Sequence, residues 1–205
     1  MDECGIDEAG RGPLIGPMVM AILCGDRESL ESIGVADSKK LSPGRRESLF
    51  ARLQSYKYNF VIISPSEIDR YVEHQKLNVL EETYASKLAS WAPASSTVYV
   101  DSFDVNELRL QSLLMENTKR QIVCRHKADE IYPCVSAASI IAKVIRDREI
   151  DKLHKDYGDF GSGYPSDPRT INFVKNALKN GINIDSIVRH QWKTYKSMLN
   201  KKLTY

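Results

Sequence analysis

The amino-acid sequence predicts a mixed α/β domain in which strands and helices alternate along the chain. Its 205 residues suffice for one domain with a buried core and a small appendage. The composition, 42% hydrophobic and 27% charged, is typical of a globular protein. Short apolar runs alternate with segments that have helical spacing, and no internal repeat interrupts them. These observations together favour a sheet covered by helices.

The first half of the chain shows this alternation clearly. A short apolar run that ends within residues 5–9 predicts a first strand. A turn rich in glycine and proline follows, and Met18–Leu23 predicts a second, buried strand. Ser42 and Pro43 have the residue types of an N-cap and a first helical position, so they predict the start of a helix. Residues 57–63 begin with alternating polarity and become apolar, which predicts a third strand.

The second half continues in the same way and ends in a basic segment. The predicted elements are a short helix after Ser64, a helix at about Val79–Trp91, a strand within the stretch Thr97–Asp104, a helix at Val105–Glu116, a strand at Gln121–Arg125, a long helix at about Tyr132–Tyr157 and a helix at about Asp167–Lys179. Asp101 lies where its strand gives way to a loop, and Asp104 is expected to cap the helix that follows.

The sequence argues against secretion and membrane insertion. Residues 1–3 are acidic overall and lack the basic flank of a signal peptide. The longest apolar run, residues 13–25, falls short of the ~20 residues that span a bilayer. The four cysteines are scattered without a Cys-x-x-Cys pair, at Cys4, Cys24, Cys124 and Cys134. We therefore expect a cytoplasmic protein with reduced thiols rather than disulfides or a zinc site.

Charge is distributed unevenly along the chain. Residues 169–205 contain eight basic residues and one acid, a net charge of +7, so the remainder carries −5 of the total of +2. An acidic body with a basic tail suits a metal-dependent enzyme that acts on a polyanion. A solvated helix face rich in lysine explains the same tail equally well.

The stretch Gly5–Pro13 places two adjacent carboxylates, Asp7 and Glu8, at the end of the first strand. Neighbouring strand residues point to opposite faces, so both acids serve one site only if the strand ends or distorts there. Gly10 and Gly12 would permit this and could bring backbone N–H groups close to a ligand. An ordinary acidic hairpin turn is the competing interpretation. A nicotinamide-binding site is excluded, because a strand rather than a helix follows the glycines.

Four acids from three separate elements are the candidate metal ligands: Asp7, Glu8, Asp101 and Asp129. No cluster of histidine and cysteine and no calcium-loop pattern competes with them. Carboxylates without histidine are typical of sites for Mg²⁺ or Mn²⁺ and suggest two-metal phosphodiester hydrolysis. Lys143, amid apolar helix residues, either reaches water, contacts phosphate or neutralises the carboxylates. Tyr164, in a rigid turn, either stacks on a base or sugar or fills the core.

These motifs, in this order, resemble the ribonuclease HII (type 2 ribonuclease H) family. The resemblance covers nearly the whole chain to residue 168 and rests on six blocks: Gly5–Pro13, Asp37–Ser42, Tyr99–Ser102, Lys127–Glu130, Val135–Asp147 and Gly161–Pro168. It implies a ribonuclease H-like fold, with a central mixed sheet flanked by helices and a helical C-terminal appendage. The expected division is a catalytic domain at residues 1–163 and a basic appendage at residues 164–205.

The resemblance further implies an endonuclease that hydrolyses RNA in RNA/DNA hybrids and cuts on the 5′ side of ribonucleotides embedded in duplex DNA. Products would carry a 5′-phosphate and a 3′-hydroxyl. The four acids would hold two Mg²⁺ or Mn²⁺ ions, one activating water and the other stabilising the leaving oxygen. A hybrid-binding protein without chemistry and a DNA junction resolvase or exonuclease of the same fold are the alternatives.

Substrate contacts are also carried over from the resemblance. Gly10, Arg11 and Gly12 would read the ribose 2′-hydroxyl, which distinguishes RNA from DNA. Tyr164 would stack on the sugar of the next nucleotide and favour deoxyribose there. The residues expected to hold phosphates are Lys39, Lys40, Ser139 and Lys143. The resemblance favours a monomer, and no clear motif at the C-terminus supports binding to a sliding clamp.

Overall fold

The computed structural model describes residues 3–35 and 41–202. In these residues the chain forms five strands and eight α-helices. The strands are β1 (Glu3–Ala9), β2 (Met18–Gly25), β3 (Lys57–Ile63), β4 (Thr97–Asp101) and β5 (Gln121–Arg125). The helices are α1 (Arg27–Ile33), α2 (Pro43–Leu53), α3 (Pro65–Val72), α4 (Leu77–Trp91), α5 (Glu107–Thr118), α6 (Pro133–Tyr157), α7 (Pro168–Asn180) and α8 (Lys193–Lys202).

The five strands form one mixed sheet in the order β3-β2-β1-β4-β5. The central strand β1 pairs antiparallel with β2 and parallel with β4, and β4 pairs parallel with β5. Strand β2 is buried along its whole length, which explains its continuous apolar sequence. The prediction of a mixed sheet with flanking helices is therefore confirmed.

The described chain divides into two compact units, and each has its own core. The first comprises residues 3–9, 19–35, 41–61 and 78–145, and its buried residues include Val19, Leu23, Ile140 and Ile141. The second comprises residues 10–18, 62–77 and 146–202, and its buried residues include Leu14, Ile15, Phe160 and Val188. These two units are defined by contacts between residues and do not test the expected domain boundary between residues 163 and 164, which stays a prediction.

Most element predictions agree with the structure, but several details differ; among them, no helix was predicted at Lys193–Lys202, where α8 lies. The short helix α1 was not predicted; Asp26 caps its N-terminus and Gly34 ends it in the left-handed conformation. Asp104 was expected to cap α5, but Asn106 does so, and Asp104 instead accepts hydrogen bonds from the backbone N–H of Asn106 and from Arg109. Asp104 thus stabilises the turn before the helix.

The expectation of four reduced thiols was wrong, because a disulfide joins Cys4 and Cys24. The two residues are separated by 20 positions in the sequence, but the antiparallel register of β1 and β2 places them directly opposite each other. Sequence spacing alone did not show this pairing. Cys124 and Cys134 are buried free thiols. In the part of the chain that is described, no helix is long and apolar enough to cross a membrane.

Candidate metal centre and nucleic-acid interface

Three of the four candidate carboxylates converge in the first unit. Asp7 lies on β1, Asp101 is the last residue of β4, and Asp129 lies in a short 3₁₀ helix, Ala128–Glu130, that follows β5. One carboxylate oxygen from each lies within 4.8 Å of the other two. The structure thus gathers three hard oxygen ligands at one point, an arrangement suited to a divalent cation such as Mg²⁺ or Mn²⁺.

The topology of the sheet explains this convergence. Strands β1 and β4 run parallel with Ile6 opposite Val100, so the next residues, Asp7 and Asp101, lie at the same edge. The backbone N–H of Ala128 donates a hydrogen bond of 3.0 Å to Oδ1 of Asp101. This bond ties the 3₁₀ helix to the end of β4 and brings Asp129 into the cluster.

Electrostatics within the cluster favour an added cation. Asp7 is 6% exposed, and burial raises its pKa to about 7, with the Asp101 carboxylate adding to the increase. Hydrogen bonding to the Ser139 side chain, the charge of Lys143 and the backbone N–H of Glu8 act in the opposite direction. Without a metal, these groups do not fully offset the effects of burial and of the Asp101 carboxylate on the pKa of Asp7. The residues present therefore fit a divalent metal ion.

Ser139 and Lys143 lie one turn apart on α6, beside Asp7. The ammonium of Lys143 donates a hydrogen bond of 2.7 Å to the Ser139 hydroxyl, and the Ser139 side chain is fully buried. Because the charge of Lys143 lowers the pKa of Asp7, the lysine neutralises part of the carboxylate cluster. Of the three interpretations left open for this lysine, neutralisation is the one that these contacts support.

Glu8 stands apart from the three converging carboxylates. Strand β1 continues regularly to Ala9, with Glu8 paired to Met20, so Glu8 and Asp7 project to opposite faces. The contact between them is a backbone one, in which the N–H of Glu8 donates to Oδ1 of Asp7 at 2.7 Å. The strand distortion that would bring both acids to one site is not present. The role of Glu8 as a metal ligand stays a prediction.

The candidate 2′-hydroxyl reader lies in the second unit. Gly10 has φ of +84°, a conformation that favours glycine, and a Cβ there would lie 2.3 Å from Nε of Arg146. The Tyr164 ring lies close to the same turn, since a Cβ at Gly12 would be 3.9 Å from Cε1 of Tyr164. Tyr164 is 39% exposed, which argues against a core-filling role. The guanidinium of Arg146 lies 5.3 Å from the centre of this ring.

The sequence did not identify Arg189 as a residue that contacts this turn. It was counted only among the basic residues of the tail, yet it is fully buried and donates hydrogen bonds to the carbonyl oxygens of Gly10, Arg11 and Gly16. Nothing in the local sequence distinguishes a buried arginine from a solvated one. Trp192 also contacts the turn, by donating from Nε1 to the carbonyl of Gly12 at 3.1 Å. Lys39 and Lys40 lie outside the described residues.

Comparison with known proteins shows which family the chain belongs to. The family model described as Ribonuclease HII matches residues 4–195. The chain belongs to the ribonuclease HII family. The ribonuclease HII of Thermoplasma volcanium is 51% identical over 197 residues, which cover 96% of this chain and 92% of the relative.

Two solved structures share the fold. The ribonuclease H2 of Pyrococcus horikoshii matches over 100% of both chains, with a TM-score of 0.92 and 42% identity. The ribonuclease HII of Archaeoglobus fulgidus, solved in a complex with PCNA, matches over 96% of both chains, with a TM-score of 0.88 and 43% identity. The fold is therefore ribonuclease H-like, as expected from the sequence.

Membership in the ribonuclease HII family establishes the type of reaction. The chain is a metal-dependent endoribonuclease, a hydrolase that cuts RNA strands in RNA/DNA substrates. The cluster of Asp7, Asp101 and Asp129 is a suitable place for the required divalent metal. The alternatives of a non-catalytic hybrid-binding protein and a junction resolvase are therefore dropped.

Proposed function

We propose that this ribonuclease HII cuts RNA in RNA/DNA hybrids and also cuts on the 5′ side of ribonucleotides embedded in duplex DNA, leaving 5′-phosphate and 3′-hydroxyl ends. The convergence of Asp7, Asp101 and Asp129 within 4.8 Å is the observation that carries the proposal. These three residues, together with Glu8, would hold two divalent ions, Mg²⁺ or Mn²⁺. When bound, such ions supply an activated water and stabilise negative charge on the leaving oxygen.

The residues around the cluster have separate tasks in this proposal. Asp101 keeps its carboxylate oriented through the hydrogen bond from the N–H of Ala128. Ser139 and Lys143 hold Asp7 by hydrogen bonding and charge, and Lys143 is partly exposed, so it can also meet a phosphate of the substrate. Phosphate contacts position a duplex without reading its sequence, so little base specificity is expected. Lys39 and Lys40 are proposed to contribute further phosphate contacts.

The turn of Gly10, Arg11 and Gly12 is proposed to recognise the 2′-hydroxyl, with Tyr164 stacking on the next sugar. Two observations support this assignment. The turn and the Tyr164 ring lie beside each other in the same unit, and the ring is partly exposed. Backbone N–H and C=O groups also suit a hydroxyl, because they offer donors and acceptors in fixed positions.

The decisive experiment uses a labelled DNA duplex that carries one ribonucleotide, incubated with Mg²⁺, with Mn²⁺ or with a chelator, beside a continuous RNA/DNA hybrid and an all-DNA duplex. Metal-dependent cutting on the 5′ side of the ribonucleotide, with the all-DNA duplex intact, is the expected result. Cutting of continuous RNA/DNA hybrids alone would overturn the embedded-ribonucleotide part of the proposal. Cutting of the all-DNA duplex would remove the 2′-hydroxyl requirement.

A pair of variants then tests Tyr164. Tyr164→Ala should reduce cutting at a single ribonucleotide more than cutting of a long hybrid, because only the former presents deoxyribose at the stacked position. The partly exposed Tyr71 on α3 is a matched control: Tyr71→Ala removes the same group outside the proposed site and should leave the ratio of the two rates unchanged. Equal losses on both substrates for Tyr164→Ala would contradict the stacking role.

The monomeric state remains a prediction. We expect the chain to act as a monomer, which size-exclusion chromatography with light scattering would test. The A. fulgidus relative was solved in a complex with PCNA, but this sequence has no clear clamp-binding peptide, so clamp binding is not part of the proposal.

A further inference from the structure

Arg189 lies against the carbonyl side of the turn formed by Gly10, Arg11 and Gly12. Its Nη2 donates to the Gly10 carbonyl at 2.6 Å, and its Nη1 donates to the Arg11 carbonyl at 2.9 Å. The same guanidinium reaches the Gly16 carbonyl from Nε and Nη2, at 3.1 and 2.9 Å. One buried side chain therefore holds both ends of the loop between β1 and β2.

These hydrogen bonds fix the direction of two N–H groups. In a trans peptide the C=O and N–H vectors point in opposite directions, and the described chain contains no cis peptide bond. Because the carbonyls of Gly10 and Arg11 point towards Arg189, the N–H groups of Arg11 and Gly12 point away from it. The side chain thus determines the orientation of the donors on the other side of the turn.

An arginine suits this task better than a lysine. Its planar guanidinium presents five N–H donors in a rigid fork, whereas an ammonium is a point charge with three rotating donors. Burial, with the nearby charge of Arg146, lowers the pKa of Arg189 to about 9, so the group remains a cation at neutral pH. The carbonyl oxygens of the turn compensate for the lost water.

The backbone beside Arg189 is also anchored. The carboxylate of Asp69 accepts hydrogen bonds from the backbone N–H groups of His190 and Gln191, at 2.7 and 3.0 Å. Trp192 follows in the chain, and its indole N–H donates to the Gly12 carbonyl. The C-terminal segment is therefore fixed to α3 on one side and to the turn on the other.

We propose that Arg189 is a positioning residue for 2′-hydroxyl recognition, because it orients the N–H groups of Arg11 and Gly12. The proposal rests on the proposed function of that turn. It assigns the C-terminal segment a role in choosing ribose over other sugars, rather than only a general attraction to nucleic acid. Trp192 assists by holding the Gly12 carbonyl.

The experiment compares two duplexes that differ at one nucleotide, which carries either a 2′-hydroxyl or a 2′-fluoro group. The measured quantity is the ratio of their kcat/KM values, and folding of each variant is checked by circular dichroism and thermal unfolding. Arg189→Lys keeps the positive charge but loses the planar set of N–H donors. It should lower the ratio of kcat/KM values by about tenfold, the equivalent of one well-placed hydrogen bond. Arg70→Lys, an exposed arginine on α3, is the matched control and should leave the ratio unchanged.

A purely structural role predicts a different result. In that case Arg189→Lys would lower kcat/KM equally on both duplexes and leave their ratio unchanged, which would overturn the proposal. If Arg189→Lys does not fold, Arg189→Gln decides, since its amide keeps two N–H donors but cannot reach the carbonyls of Gly10, Arg11 and Gly16 together. A lower ratio supports the proposal and an unchanged ratio refutes it. Failure of the unmodified protein to prefer the 2′-hydroxyl duplex would instead refute the proposed function.

Discussion

Gly5 of β1 lies close against the start of α6, and replacing it with alanine should destabilise the protein. A Cβ at this position would lie 2.2 Å from the carbonyl carbon of Cys134, 2.2 Å from the nitrogen of Val135 and 2.4 Å from the carbonyl oxygen of Cys134. All three are backbone atoms of the first helical turn, so no side chain can move aside. Reaching an ordinary contact of 3.4 Å requires a separation larger by about 1 Å.

The expected cost follows from this overlap. Forcing one extra carbon into a packed core typically costs about 1–3 kcal/mol in the free energy of unfolding. For a chain of this length, that loss lowers Tm by roughly 2–12 °C. The same displacement should weaken the metal centre, because Asp7 lies two residues further along β1 and its partner Ser139 lies on α6.

Gly44→Ala is a matched control in the same unit. Gly44 is exposed within α2, and a Cβ there would have no atom within 4 Å. Because alanine favours helix more than glycine does, this change should be neutral or stabilise the protein by up to about 1 kcal/mol. Urea unfolding followed by circular dichroism measures both effects, and titration calorimetry with Mn²⁺ measures the metal affinity. Wild-type stability and metal affinity in Gly5→Ala would refute the close approach of β1 to α6.

Three further results are expected. Asp101→Asn should nearly abolish turnover, because it removes the charge of a metal ligand. It should not lower Tm, because the same charge raises the pKa of Asp7 in the folded protein. Near-normal turnover in a cleavage assay would exclude Asp101 from the site. Burial raises the pKa of Asp7 to about 7 in the folded metal-free protein. Between about pH 4 and 7 the folded protein therefore binds more protons than the unfolded chain, so its stability falls as pH rises through that window. The increase in Tm on adding Mg²⁺ should therefore be larger at pH 8 than at pH 6, and calorimetry showing equal increases would contradict the raised pKa. Thiol titration in denaturant without reductant should detect two thiols rather than four, because Cys4 and Cys24 are joined; four reactive thiols would show that the disulfide is absent.

The sequence by itself determined most of the local elements and the residue types of the site. Alternating and apolar runs predicted β3 and β5 at their observed bounds, and α6 within a residue of its observed bounds, because periodicity and end signals are local properties. The acids Asp7, Asp101 and Asp129 were also identifiable, since each follows or ends a strand or lies in a polar link. Their chemical type already indicated Mg²⁺ or Mn²⁺ rather than zinc.

Only the tertiary structure decided which of these residues meet. The parallel pairing of β1 with β4 brings Asp7 to Asp101, and the regular path of β1 turns Glu8 to the other face. Antiparallel pairing places Cys4 opposite Cys24. Arg189, one of the basic residues of the tail, is buried and donates hydrogen bonds to the backbone turn that begins at Gly10. Strand register and burial depend on contacts between residues far apart in the chain, and a local pattern of residue types does not specify them.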